Sequence, residues 1–217
     1  KQSWMSGLLT VKTPKMVVLS SFSLRFDHMN IFSKVATTLV GATLLFTPSI
    51  KAETHEDHLT LWDALEENGI VVIINEPEFC NEEDIDGFYI PNANVLGICQ
   101  DGRKILTNSE VEWTSNDYDT LRHEAQHAVQ DCLSGKDNGQ SRLLFQDKDK
   151  FMHFITNTLK AEHIENIIDT YRQRGASDEI IRMELEAFAV ASLNNPLSIA
   201  NGVNELCEGN GRYIRKD

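Results

Sequence analysis

Residues 121–132 read Leu121-Arg-His-Glu-Ala-Gln-His-Ala-Val-Gln-Asp-Cys132, and on a helix this stretch sorts its side chains by character. At about 100° per residue, Leu121, Ala125, Ala128, Val129 and Cys132 share one narrow stripe, which is the core-facing side. His123, Glu124 and His127 gather opposite it, with Asp119 and Asp131 each four residues from a histidine and placed to orient it as acceptors. The spacing H-E-x-x-H sets two imidazoles one turn apart, so both ring nitrogens reach one cation while the carboxylate between them stays beside it. Three fixed letters recur by chance, so the surrounding sequence has to carry the reading. Ser115-Asn116-Asp117 offers N-caps and early negative charge, and Ser134-Gly135 supplies a stop, which predicts a helix over 117–133.

A catalytic zinc site takes three protein ligands and keeps one position open. A third histidine six residues after the second is excluded, because Gln130 and Leu133 stand at the glycine and histidine positions that such a motif requires. The next candidate is the capped, amphipathic stretch Ser177-Asp-Glu-Ile-Ile-Arg-Met-Glu-Leu-Glu-Ala-Phe-Ala-Val-Ala-Ser-Leu193. Its apolar face runs through Ile181, Leu185, Phe188 and Ala191, flanked by Ile180 and Ala187, and Glu184 falls inside that face. A carboxylate there needs a partner, either a bound cation or a basic side chain. Glu186 projects with Arg182 and Glu179 toward the polar side and reads as a solvated charge, so Glu184 is the expected metal ligand ahead of Glu186.

H-E-x-x-H followed some tens of residues later by E-x-E-A on a helix resembles the gluzincin branch of zinc metallopeptidases. The resemblance covers the two motif helices and the strand before them. It implies a zincin-like α+β fold, Zn²⁺ held by His123, His127 and the first glutamate of E-x-E-A, Glu184, and Glu124 as the general base that takes a proton from water and delivers it to the leaving amine. Phe188 stands where that family commonly has an Asp or Asn supporting the site. The resemblance also implies an edge strand upstream that adds backbone hydrogen bonds to an extended substrate. Val95 to Ile98 would suit it. For an oxyanion donor, Tyr213, His153, His163 and Tyr171 are available, with nothing in the sequence to rank them.

Met29-Asn-Ile-Phe-Ser-Lys34, apolar Val35 to Phe46, then Thr-Pro-Ser-Ile-Lys-Ala52 has the order of a secretory signal peptide, with a cut expected after Ala52. The competing reading is an uncleaved membrane anchor. Residues 1–28 are expected to be a non-native upstream extension, with translation starting at Met29. Residues 1–52 hold six of the chain's 20 Lys and Arg and one of its 33 Asp and Glu, so residues 53–217 carry 14 basic and 32 acidic groups and a formal charge of −18. Such a surface disfavours nucleic acid and anionic lipid and suits neutral or basic substrates, or serves solubility alone.

All four cysteines, Cys80, Cys99, Cys132 and Cys207, follow the proposed cut, as an oxidising compartment would permit. Of three possible pairings, Cys80 with Cys99 and Cys132 with Cys207 is favoured. A zinc site built from these cysteines is disfavoured, because no short paired C-x-x-C spacing occurs. Residues 53–217 suit one domain. The coarse pattern is a helix at 60–67, a strand at 70–74, short strands within 87–99, a possible strand at 104–107, and helices near 117–133, 150–159, 161–174 and 178–193. Strands first and helices afterward predict α+β, a small mixed sheet beside an active-site helix and a helical C-terminal half. His55 and His58 are expected in a flexible N-terminus.

Two functions follow. The first is an exported, periplasmic or secreted zinc metallopeptidase acting on a peptide or protein substrate. The second is a disulfide-stapled periplasmic binding or structural domain with a non-catalytic zinc site. Glu124 favours the first, since a closed structural site has no use for a base.

Overall fold

The computed structural model describes residues 55–81, 85–104, 106–136 and 138–207. The upstream stretch 1–28, the expected signal segment 29–52 and Tyr213 lie outside the described residues. In chain order the elements are α1 (His55–Glu67), β1 (Val71–Ile74), β2 (Gly87–Ile90), β3 (Val95–Ile98), α2 (Ser115–Ser134), α3 (Lys148–Thr158), α4 (Ala161–Gln173), α5 (Asp178–Leu193) and α6 (Pro196–Cys207). This is an α+β arrangement of a three-stranded mixed sheet and, among the described residues, six helices.

The sheet order is β1-β3-β2, with β3 parallel to β1 and antiparallel to β2. Val95–Ile98 is therefore the central strand, its backbone already bonded on both sides, and it cannot serve as the edge that accepts a substrate. Local sequence gives strand identity but not strand order, which is why the edge assignment fails. The turn before β3 forms as its residues dictate: Pro91–Ala93 makes a single 3-10 turn and Asn94 takes the left-handed conformation at φ 51°. The described residues of the expected strand at 104–107 are not in a strand, and the Thr107 N–H donates to the Lys104 carbonyl at 3.1 Å.

One apolar core gathers Leu61 and Leu65 of α1, Tyr89, Leu96 and Ile98 of the sheet, Ile199 and Val203 of α6, and the α2 stripe Leu121, Ala125, Ala128 and Val129. A second joins Phe151 and Ile155 of α3, Ile167 and Tyr171 of α4, and Ile181, Leu185 and Ala189 of α5. α2 lies between them, packed on the first core by its apolar stripe and on α5 by its polar face. That polar face is thus an internal surface. Buried polar groups require partners, so what α2 and α5 place between them has to be satisfied there.

α6 is an addition to the helices expected from the sequence, and Asn195-Pro196 marks its start in the usual way, proline at the first helical position. α1 begins at His55, five residues earlier than expected, and His58 is buried and accepts from Arg122 at 3.1 Å, so this region is ordered and not a loose terminus. Both disulfides form as expected, Cys80–Cys99 and Cys132–Cys207. Among the described residues no helix is long and apolar enough to cross a membrane.

Candidate metal centre

Both ends of α2 are fixed by local chemistry. Thr114, one residue before the expected caps, accepts from the Asp117 N–H while the Asp117 carboxylate accepts from the Thr114 N–H, a reciprocal capping box. Gly135 ends the helix in the left-handed conformation at φ 106°. Asp117 is also buried and accepts from the Asp101 N–H at 2.8 Å, anchoring the helix start to the loop after β3. α5 is capped by Ser177, whose hydroxyl accepts from the Ile180 N–H.

Between these helices His123, His127 and Glu184 converge. The three atoms that meet are His123 Nε2, His127 Nε2 and Glu184 Oε2, with separations of 3.2 Å, 3.2 Å and 3.4 Å. A tetrahedral ion with metal–ligand bonds of about 2.0–2.1 Å has ligand–ligand edges of about 3.3 Å, so this triangle matches one face of such a polyhedron. The donor set, two imidazoles and one carboxylate, suits a borderline transition ion and not the all-oxygen shell of calcium or magnesium. These residues could hold a metal ion, as the sequence predicts for all three.

Further contacts fix the donors. Gln130 Nε2 donates to the Met183 carbonyl and to Glu186 Oε1, both at 3.1 Å, which leaves its carbonyl oxygen to accept from His127 Nδ1 at 2.8 Å. His127 therefore carries its proton on Nδ1 in the neutral form and presents the Nε2 lone pair to the centre. Gln130 takes the orienting role expected of the aspartates. Asp131 instead accepts from the Tyr89 hydroxyl at 2.9 Å, and Asp119 accepts from Arg122. His123 Nδ1 makes no hydrogen bond, and the Phe188 ring packs against the imidazole at 4.3 Å between centroids. Phe188 thus places hydrocarbon beside His123.

Glu186 is the clearest correction to the helical wheel. Its side chain is fully buried, at 0 % exposure, and its carboxylate accepts from the Leu144 and Phe145 N–H groups at 3.0 Å and 3.1 Å and from the amide of Gln130. The wheel treated the side away from the apolar stripe as solvent, whereas α2 and the 143–145 segment cover it. Glu186 is an anchor beside the centre and not one of the converging donors.

Of the three oxyanion candidates among the described residues, Tyr171 is the one at the centre, its hydroxyl donating to Glu184 Oε2 at 2.8 Å. His153 is exposed on α3 and His163 half-exposed on α4. Glu124 is buried, and its charge acts on both His127 and Tyr171. Its placement depends on Gly87 at the start of β2: a Cβ there would lie 2.5 Å from Thr120 Cγ2 and 3.1 Å from Glu124 Oε1.

Electrostatically the metal-free centre is an ion pair. Burial works against a charge on Glu184, but His127, and hydrogen bonds from both histidines, hold its carboxyl well below the usual carboxylate range. Burial likewise opposes a proton on His127, and there Glu184, with smaller help from Glu124 and Gln130, prevails and raises it to about 9. His123 moves down, chiefly through burial. Burial and the Glu184 charge keep the Tyr171 phenol protonated well above its ordinary value, so it remains a donor. Access is narrow. The cavity beside His127 and Glu184, bordered by Tyr89, Ser141, Ile180 and Met183, measures about 20 Å³, room for roughly one water molecule.

Compared with protein-family models, curated proteins and solved structures, the chain matches none of them.

Gln130→Leu removes the acceptor of the His127 Nδ1 proton while keeping the volume nearly constant. It is expected to weaken metal affinity by about ten- to a hundred-fold, the usual cost of losing such a supporting group. Competition titration against a calibrated chelator reads this directly, and an unchanged affinity would remove Gln130 from the site's working parts.

Proposed function

We propose that this chain is an exported zinc-dependent hydrolase of peptide bonds, zincin-like in fold and gluzincin-like in its ligand set, acting on peptide or protein substrates. The observation that carries the reading is the triangle of His123, His127 and Glu184 donors with a buried carboxylate, Glu124, beside it and outside the ligand set. When bound, the cation supplies Lewis acidity toward a carbonyl oxygen and a water. Glu124 accepts the proton of the attacking water and passes it to the leaving amine. The Tyr171 hydroxyl donates its one proton to Glu184 Oε2 and so holds that carboxylate in place; it reaches a developing oxyanion only by exchanging that bond. Gln130 holds His127 in the ligating tautomer. Two disulfides and the acidic composition fit a periplasmic or secreted protein.

One observation favours a second reading. Every group of the centre is buried and the adjoining cavity admits about one water, which suits a zinc ion that ties α2 to α5 in a non-catalytic, disulfide-stapled binding or structural domain. The hydrolase reading requires the cover near Ser141 and Ile180 to move when a substrate enters. Elemental mass spectrometry on the full chain, with casein hydrolysis assayed before chelation, after it and after zinc restoration, separates the two. One zinc equivalent with chelator-sensitive hydrolysis supports the hydrolase. One equivalent with no hydrolysis, and a lower melting temperature after chelation, leaves the structural reading. A chain that takes up no zinc on reconstitution sinks both.

A further inference from the structure

A second cavity, about 320 Å³, lies on the other flank of α2, between α1, the segment before α2 and the first turns of that helix. Its size is in the range of small-molecule sites, about 300–1,000 Å³. Three large aromatic side chains line it, Trp62, Trp113 and Tyr118. Trp113 stacks on Tyr118 with centroids 5.1 Å apart and planes at 23°, and meets Trp62 edge-on at 6.2 Å. The indole N–H of Trp113 donates to Glu110 at 2.7 Å, which sets the plane of that ring.

The charges around this aromatic wall have one sign. Asp63, Glu66 and Glu110 line the cavity, all three exposed, and among the described residues no Lys or Arg does. Two histidines also border it. His58 packs on Tyr118 at 4.3 Å, and its Nε2 accepts from the Arg122 guanidinium, an arrangement open only to an uncharged imidazole. His55 Nδ1 is engaged by the Tyr118 hydroxyl at 2.6 Å. The charge of Arg122 is met by Asp119. Aromatic faces carry negative potential and attract cations, most strongly those whose charge is spread over alkyl groups and so weakly hydrated. A neutral ligand would gain contact with the rings and, through O–H or N–H groups, hydrogen bonds to the carboxylates, but no charge attraction, and an anion would be repelled by both.

We propose that this cavity is a binding site for an alkylated ammonium cation of the choline type, held among Trp62, Trp113 and Tyr118 with Asp63, Glu66 and Glu110 around it. The site is independent of the His123–His127–Glu184 centre. Leu121, which also lines it, belongs to the core-facing stripe of α2 and not to the metal-facing side.

Two of the chain's three tryptophans border the cavity, so intrinsic fluorescence of the full chain reports on it. Choline is titrated alongside its neutral isostere, the alcohol in which carbon replaces the ammonium nitrogen, and both titrations are repeated on Asp63→Asn/Glu66→Gln, whose changed residues are exposed and leave the aromatic wall intact. The expected result is a saturable response with choline about ten-fold tighter than the alcohol, and a several-fold weaker choline response in the variant with the alcohol unaffected. Equal affinities for choline and alcohol, choline binding unchanged in the variant, or no saturable response to choline would each overturn the proposal.

Discussion

Glu124→Gln is expected to retain one equivalent of zinc and to lose peptide hydrolysis by about 10²–10⁴-fold, the contribution typical of a positioned general base. The substitution preserves shape at a fully buried position, so packing against Gly87 and Thr120 survives. What it removes is basicity: an amide oxygen still accepts a hydrogen bond but cannot take a proton from water at neutral pH. Glu124 is not one of the three converging donors, so the ligand set is intact. Zinc content and initial rates measured on the same samples decide the matter. Activity close to wild type would show that another group is the base, and loss of zinc would place Glu124 among the ligands.

The second expectation separates two glutamates that stand two residues apart. Glu184→Ala removes a vertex of the donor triangle and leaves two imidazoles, lowering zinc affinity on the order of 10²–10³-fold, by an even division of the zinc binding energy of four-ligand sites. Glu186→Ala acts instead on stability. It removes the acceptor of the part-buried N–H groups of Leu144 and Phe145 and one of the two acceptors of the Gln130 amide, which keeps its bond to the Met183 carbonyl, so a loss of about 1–3 kcal/mol is expected, on the order of one unsatisfied donor. Equilibrium denaturation and zinc titration of both variants give the comparison. Were Glu186→Ala the variant that releases zinc while Glu184→Ala keeps it, the ligand assignment would be reversed.

Side chains whose roles follow from one helix were readable from the sequence. Leu121, Ala125, Ala128 and Val129 face the core, and Glu184 sits at a buried position of α5, as periodicity implied. Roles that depend on what covers a helix were not readable. Glu186 looked solvated because a wheel shows only one helix, and it is buried because the 143–145 segment folds over it. Gln130 gave no local signal, since its work depends on α5 supplying Met183 and Glu186. The strand order that puts Val95–Ile98 in the centre is likewise non-local. The helix Pro196–Cys207 could have been found, because its proline stands at a conventional start.

The Cys132–Cys207 bond spans 75 residues and encloses α3, α4 and α5 whole. Glu184 is 61 residues from His123 along the chain, so an unfolded chain must close a long, entropically costly loop before the third donor meets the other two. The disulfide pins one end of α2 to the end of the segment that carries Glu184, which shrinks that search and raises the local concentration of the ligand helix around the motif helix. Oxidation and any cation capture at this group would thereby be coupled in order of assembly: a chain that has paired Cys132 with Cys207 would meet a metal ion with much of the search complete, and a reduced chain would close the whole gap unaided.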